Sequence, residues 1–254
     1  MGETILEIKT LSNFFGMVCT AWKMDLSIEA GVLTSIIGPN GAGKSTLINL
    51  ITGNLPVQKG TLLFKGQDIT RLSIHKRVRL GICRSFQVVN IFPELTVFEN
   101  LMIPVLTMAG KSRTCFSPIS KEAPSALKVE ALLEKVGLSE KRNTVANALS
   151  HGDQRLLEVG VALAVDPILL FLDEPTAGMN PVERVQILNN IRQLSRDGRT
   201  TFVLVEHDMD IVFSLSERVI VLHRGMVLGD GSPEEIKENK QVREVYLGDS
   251  LENE

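Results

Sequence analysis

The run Gly38-Pro39-Asn40-Gly41-Ala42-Gly43-Lys44-Ser45-Thr46 holds the residue types that bind phosphate. It satisfies G-x-x-x-x-G-K-[ST], in which backbone N–H groups curl around an anion and the lysine reaches the β- and γ-phosphates. Glycine permits backbone angles that a Cβ would resist. The Ser45 hydroxyl is placed to ligate Mg²⁺. Both flanks agree with the motif. Val32 to Ile37 is an apolar, β-branched run that reads as a buried parallel strand, and Leu47, Ile48, Leu50 and Ile51 follow at helical spacing. A helix starting there adds its partial positive charge.

Phe171-Leu172-Asp173-Glu174-Pro175 closes a second buried strand. An aspartate at a strand's carboxyl end beside a P-loop can hold the Mg²⁺ shell. Glu174 points to the other side of the backbone, where it could take a proton from an attacking water. Leu149-Ser150-His151-Gly152-Asp153-Gln154 precedes an apolar helix. Ser150 or its neighbour is read as its cap, and the free N–H groups of the first turn form an anion site. His207 and Gln87 each end a strand, at the edge where α/β ligands collect.

The elements that must position these groups can be read from periodicity. Ile5 to Ile8 opens a strand, and Trp22, Met24, Leu26 and Ile28 alternate with polar residues, as on a strand with one wet face. Ser73 is expected to cap a short basic helix running to Leu80. Thr96 to Leu106, Ser125 to Val136 and Gly152 to Val165 read as helices, with a surface loop from Gly110 to Pro124. Residues 88–159 therefore form a mostly helical insertion between two parts of an α/β core, 1–87 and 160–254, within one domain of 254 residues. After it come the strand Ile168 to Leu172, a helix from Pro181 to Leu194, the strand Thr200 to Val205 and a hairpin around Arg224-Gly225. Short helices follow at Pro233 to Glu238 and Gln241 to Leu247, then a frayed acidic end. No internal repeat is present, so there is one nucleotide site's worth of motifs.

Composition narrows the field. A net charge of −3 offers no electrostatic case for nucleic acid as a partner. Cys19, Cys83 and Cys115 are scattered without a C-x-x-C, which fits a reducing compartment and argues against a zinc site. The first residues carry no secretory signal pattern. The most apolar stretch, Leu156 to Leu172, is interrupted by Glu158, Asp166 and Pro167 and cannot span a bilayer as a helix.

Taken in order, these motifs resemble the ATP-binding subunit of ABC transporters over nearly the whole chain. The resemblance implies a P-loop NTPase (RecA-like) α/β core with an antiparallel β subdomain and a helical signature subdomain. It makes Gln87 the Q-loop residue and a metal ligand with Ser45 and Asp173. It makes Leu149 to Asp153 the signature, Ala177-Gly178-Met179-Asn180 the D-loop, His207 the switch histidine and Glu174 the hydrolytic base. In that family two ATPs are sandwiched between two subunits, so Ser150 and Gly152 would contact the γ-phosphate held by the other chain. Residues 38–46 would bind ATP with Mg²⁺, and Phe15, with Phe14 next, would stack on adenine. The only tyrosine, Tyr246, is far from that place. A stacking ring reads no base edge, so discrimination of ATP from GTP should be weak. The implied partners are a second copy or a paralogous ATPase subunit, two transmembrane permeases and, indirectly, a substrate-binding protein, at the cytoplasmic face of the membrane.

The signature departs from the family's Leu-Ser-Gly-Gly-Gln, with His151 for the first glycine and Asp153 for the glutamine. The Asp153 charge suits a helix start, and its carboxylate is expected to face away from the phosphate. Arg84-Ser85-Phe86-Gln87, Leu95 to Leu101, Thr176 to Pro181, Val205 to Met209 and Val245-Tyr246-Leu247-Gly248 resemble the branched-chain amino-acid importer group. Urea and amide importers and lipopolysaccharide exporters share much of this pattern. A soluble ABC ATPase of iron–sulfur cluster assembly would share every ATP motif. A GTPase switch would need Asn-Lys-x-Asp, and Asn239-Lys240-Gln241-Val242 lacks the aspartate.

Overall fold

The computed structural model describes residues 2–16, 18–85, 91–110, 123–206 and 208–246, with backbone only at 15 and 246. In chain order the elements are β1 (Thr4–Phe15), β2 (Val18–Glu29), β3 (Thr34–Ile37), α1 (Lys44–Thr52), β4 (Lys59–Phe64), β5 (Gln67–Asp68), α2 (Ile74–Arg79), β6 (Ile82–Arg84), α3 (Val97–Met108), α4 (Ala123–Lys135), α5 (His151–Leu163), β7 (Leu169–Asp173), α6 (Pro181–Arg196), β8 (Thr201–Val205), α7 (Met209–Leu215), β9 (Arg218–His223), β10 (Met226–Gly231), α8 (Pro233–Glu238) and α9 (Lys240–Tyr246).

The strands form two sheets, a four-stranded one in the order β2-β1-β4-β5 and a six-stranded one in the order β10-β9-β3-β8-β7-β6. The first is antiparallel. In the second, β6, β7, β8, β3 and β9 run parallel, with β10 antiparallel at the edge. This is the expected α/β core with an antiparallel β subdomain. Every residue of β3, β7 and β8 is buried. Their apolar runs have no polar alternation because both faces are covered. Leu170, Leu172, Phe202 and Leu204 face the helices α3, α4 and α5. Leu169, Phe171, Val203 and Val205 face α1 and the antiparallel sheet. Each such side chain contributes roughly 1.5–3 kcal/mol of burial.

The parallel strands end together, so Ile37, Arg84, Asp173 and Val205 bring their following loops to one edge of the sheet. α3 begins in a capping box, with the Glu99 N–H on Thr96 Oγ1 at 3.2 Å and the Thr96 N–H on Glu99 Oε2 at 2.8 Å. α5 runs unbroken past residue 159, so the helical segment joins the core without a break in the chain.

Two local expectations need correction, and one helix is an addition. Trp22 is 46% exposed, and Ala21 takes the inward place. Lys23 adopts φ 43° and adds a bulge to β2, which shifts the alternation by one residue. Ser73 stands at the start of α2, but its hydroxyl caps nothing. α7 went unread because its seven residues are too few to show a helical period. Of the expected surface loop from Gly110 to Pro124, residues 111–122 fall outside the described residues, as does the acidic end, while Ala123 and Pro124 already belong to α4.

Candidate functional site

The P-loop leaves β3 and enters α1 through Gly43, which has φ 105° and supplies no side-chain cap. The N–H groups of the first helical turn are therefore left for a ligand. Three glycines have separate reasons to be there. A Cβ on Gly38 would lie 2.4 Å from the Leu222 carbonyl oxygen, and one on Gly43 would lie 2.5 Å from that of Thr20. Gly41 has φ 80° with open space around it. The loop is buttressed from behind. The Gly225 N–H donates to the Ala42 carbonyl at 2.9 Å, and the Trp22 N–H donates to the Gly225 carbonyl at 2.8 Å. The hairpin turn at Arg224-Gly225 thus ties the antiparallel sheet to the P-loop, a link that no linear motif announces.

Lys44 donates from Nζ to the Gly38 carbonyl at 2.5 Å and the Pro39 carbonyl at 3.2 Å. Burial pushes its pKa below the usual lysine value, and the nearby Glu174 and Asp173 carboxylates oppose that shift. A partly desolvated cation beside a helix start that has no side-chain cap fits a polyphosphate in charge. Ser45 and Thr46 open α1 beside it, and Pro39, Asn40 and Ala42 complete the loop.

Asp173 ends β7, almost fully buried, and its carboxylate is ion-paired with Arg84 at the end of β6. Glu174 follows with φ 46°, a left-handed conformation costly for a residue with a Cβ. Its N–H is held by the Val205 carbonyl at 2.9 Å. Both adjacent carboxylates lie near enough to Lys44 to act on its charge. Glu206, buried beyond β8, accepts a hydrogen bond from Thr176 Oγ1 at 2.8 Å. Asn180, in the expected D-loop, caps α6 by accepting the Val182 and Glu183 N–H groups, both at 3.0 Å.

The structure brings residues 38–46, Asp173 and Glu174 together. It places Ser150 and Gly152 elsewhere, at the start of α5. Among the described residues no hydrogen bond or ion pair joins them to the P-loop. Ser150 is the N-cap, accepting the Asp153 N–H at 3.2 Å. Asp153 accepts the Ser150 hydroxyl proton at 2.7 Å and pairs with Lys141. One turn of helix puts the two side chains side by side. His151 lies toward the D-loop, with Nε2 3.5 Å from where a Gly178 Cβ would sit. Gln87, His207 and the side chain of Phe15 lie outside the described residues. Phe14 is half-buried and meets Trp22 edge-on, with ring centroids 5.9 Å apart. Val18, the register partner of Phe15, is 64% exposed. It is an exposed apolar neighbour of the position expected to stack on adenine, hidden in the sequence because valine carries no signal of its own.

A family model described as ABC transporter matches residues 22–177, and one described as branched-chain amino acid ATP-binding cassette transporter matches residues 226–252. The chain is 36% identical over 255 residues to the high-affinity branched-chain amino acid transport ATP-binding protein LivG of Escherichia coli K12, covering 98% of this chain and 100% of LivG. It is 37% identical to the like-named BraF of Pseudomonas aeruginosa, again covering 98% and 100%. The crystal structure of the ADP conformation of MJ1267, an ATP-binding cassette of an ABC transporter, aligns with TM-score 0.85 and 34% identity over 96% of this chain and 99% of that one. A dimeric post-hydrolysis cassette, MJ0796 bound to ADP and Pi, aligns with TM-score 0.75 and 25% identity over 90% and 99%. At such likeness over nearly its full length, this chain belongs to the ABC transporter ATPases, as an ATP-binding subunit of the branched-chain amino-acid type.

Proposed function

We propose that this ATPase powers import of branched-chain amino acids by closing on nucleotide as one half of a two-subunit sandwich. The observation that carries the reading is the separation of its parts. The P-loop and the two carboxylates share one edge of the sheet, while the Ser150 helix end stands apart, bound to no part of that P-loop. A second subunit, a copy or a paralogue, supplies the missing serine. The names of LivG and BraF, together with the match at residues 226–252, support the solute class.

On this reading residues 38–46 hold the phosphates, Phe15 stacks on adenine, and Lys44 turns from the loop carbonyls to the phosphate. Ser45, Asp173 and Gln87 would hold Mg²⁺, which when bound neutralises phosphate charge and polarises the γ-phosphate. Glu174 accepts a proton from the attacking water, and His207 steadies the γ-phosphate. Gln87 carries the closing movement to a cytoplasmic helix of one of two membrane permeases, and a substrate-binding protein delivers the solute outside. No helix among the described residues is long and apolar enough to cross a membrane. Attachment at the cytoplasmic face then runs through the permeases.

The test is Glu174→Gln. It should abolish turnover and trap an ATP-bound pair, and full hydrolysis in that variant would remove Glu174 from its role. Copurification with two membrane proteins, rather than with soluble assembly factors, separates transport from iron–sulfur cluster work.

A further inference from the structure

Ser150 carries one hydroxyl proton, and Asp153 already holds it, at 2.7 Å from Oγ to Oδ2. The same Oδ2 receives Lys141 Nζ, at the end of the short turn Ser139–Lys141 that precedes α5. The Lys141 and Asp153 side chains are 45% and 17% exposed, so the carboxylate sits under its cation and not in open water. A phosphate approaching the helix end would meet a serine oxygen whose proton points elsewhere, with a negative charge behind it. The capping bond from the Asp153 N–H keeps the hydroxyl from turning freely. The family's glutamine at this position carries no charge.

We propose that Asp153 and Lys141 are a positioning pair that latches the Ser150 hydroxyl and thereby sets the nucleotide concentration at which the sandwich closes. Asp153 withholds the proton that the phosphate needs. Lys141 shields the Asp153 charge and draws its carboxylate aside. The inference rests on the sandwich reading above and assigns these two residues a role within it.

The experiment uses full-length Glu174→Gln protein, alone or co-expressed with its paralogous subunit, titrated with Mg-ATP. Light scattering reports the midpoint of association. Asp153→Gln should lower that midpoint about tenfold, the scale of one charge-assisted hydrogen bond. Lys141→Ala should raise it about threefold, because the carboxylate loses a partly exposed shield. Lys141→Arg should restore the parent midpoint. The double variant Lys141→Ala, Asp153→Gln should follow Asp153→Gln, since no carboxylate remains to shield. Asp153→Asn, which keeps the side-chain shape, should shift the midpoint the same way and serves if Asp153→Gln does not fold. A purely structural role would change thermal stability and leave the midpoint's direction unsigned. Closure that Ser150→Ala disrupts, but that ignores both Asp153 and Lys141 variants, overturns the latch alone. Failure of Glu174→Gln protein to associate at all overturns the sandwich and the latch together.

Discussion

Arg84 and Asp173 pair across the ends of neighbouring strands, with side chains only 13% and 4% exposed. The same guanidinium donates from Nη1 to Asn49 Oδ1 at 2.6 Å, on the helix that follows the P-loop. One side chain therefore braces three pieces of the site. Removing one partner of a buried ion pair strands the other charge, at a cost of roughly 3–5 kcal/mol. Arg84→Ala should lose stability on that scale in urea denaturation. Arg84→Lys should regain only part, because it lacks the two-pronged donor. A loss well under 1 kcal/mol would refute the bracing role.

Gly43→Ala should abolish ATP binding, measured with a fluorescent nucleotide. The new Cβ would fall 2.5 Å from the Thr20 carbonyl oxygen at a φ of 105°. Gly31 is the control, with φ 72° and nothing within 4 Å. Gly31→Ala should cost only the left-handed strain, about 1 kcal/mol, and leave nucleotide affinity unchanged.

Asn180→Ala removes both cap bonds at the start of α6. Stability should fall by about 1 kcal/mol in thermal unfolding, the usual worth of an N-cap. Asn180→Asp should retain the cap and nearly all the stability. Equal losses in the two variants would mean that the cap is not what Asn180 supplies.

Burial raises the Cys83 thiol from 9.0 to about 11. The folded chain therefore keeps its proton where the unfolded chain gives it up. The stabilisation is complete below the ordinary thiol value and is lost as pH rises from there toward 11, on the order of 3 kcal/mol in all. Unfolding free energy should drop across that alkaline window, and Cys83→Ala should flatten the drop. At pH 8, alkylation of Cys83 should require unfolding. Rapid labelling of the folded protein would contradict its burial.

Much of the architecture is legible along the chain because its signals are local. β7 and β8 are unbroken apolar runs, since both their faces are covered. Pro181 marks the first turn of α6, and Thr96 with Glu99 spells the start of α3. What stayed hidden depends on partners far apart in number. Trp22 turns outward because Lys23 bulges, and a bulge answers to the neighbouring strand. Arg84 reads as one more residue in a strand until β6 lies against β7.

The order of residue types alone determined the chemistry of this protein, because a glycine turn, a lysine and a strand-end carboxylate have their meaning at short range. The tertiary structure decided which groups hold each other: Arg84 with Asp173, Gly225 with Ala42, Lys141 and Asp153 with Ser150. Even the last three, within 12 positions of one another, needed a capped helix to bring them together. Hydrogen bonds and ion pairs act over a few ångströms, and only folding turns separation along the chain into distance in space.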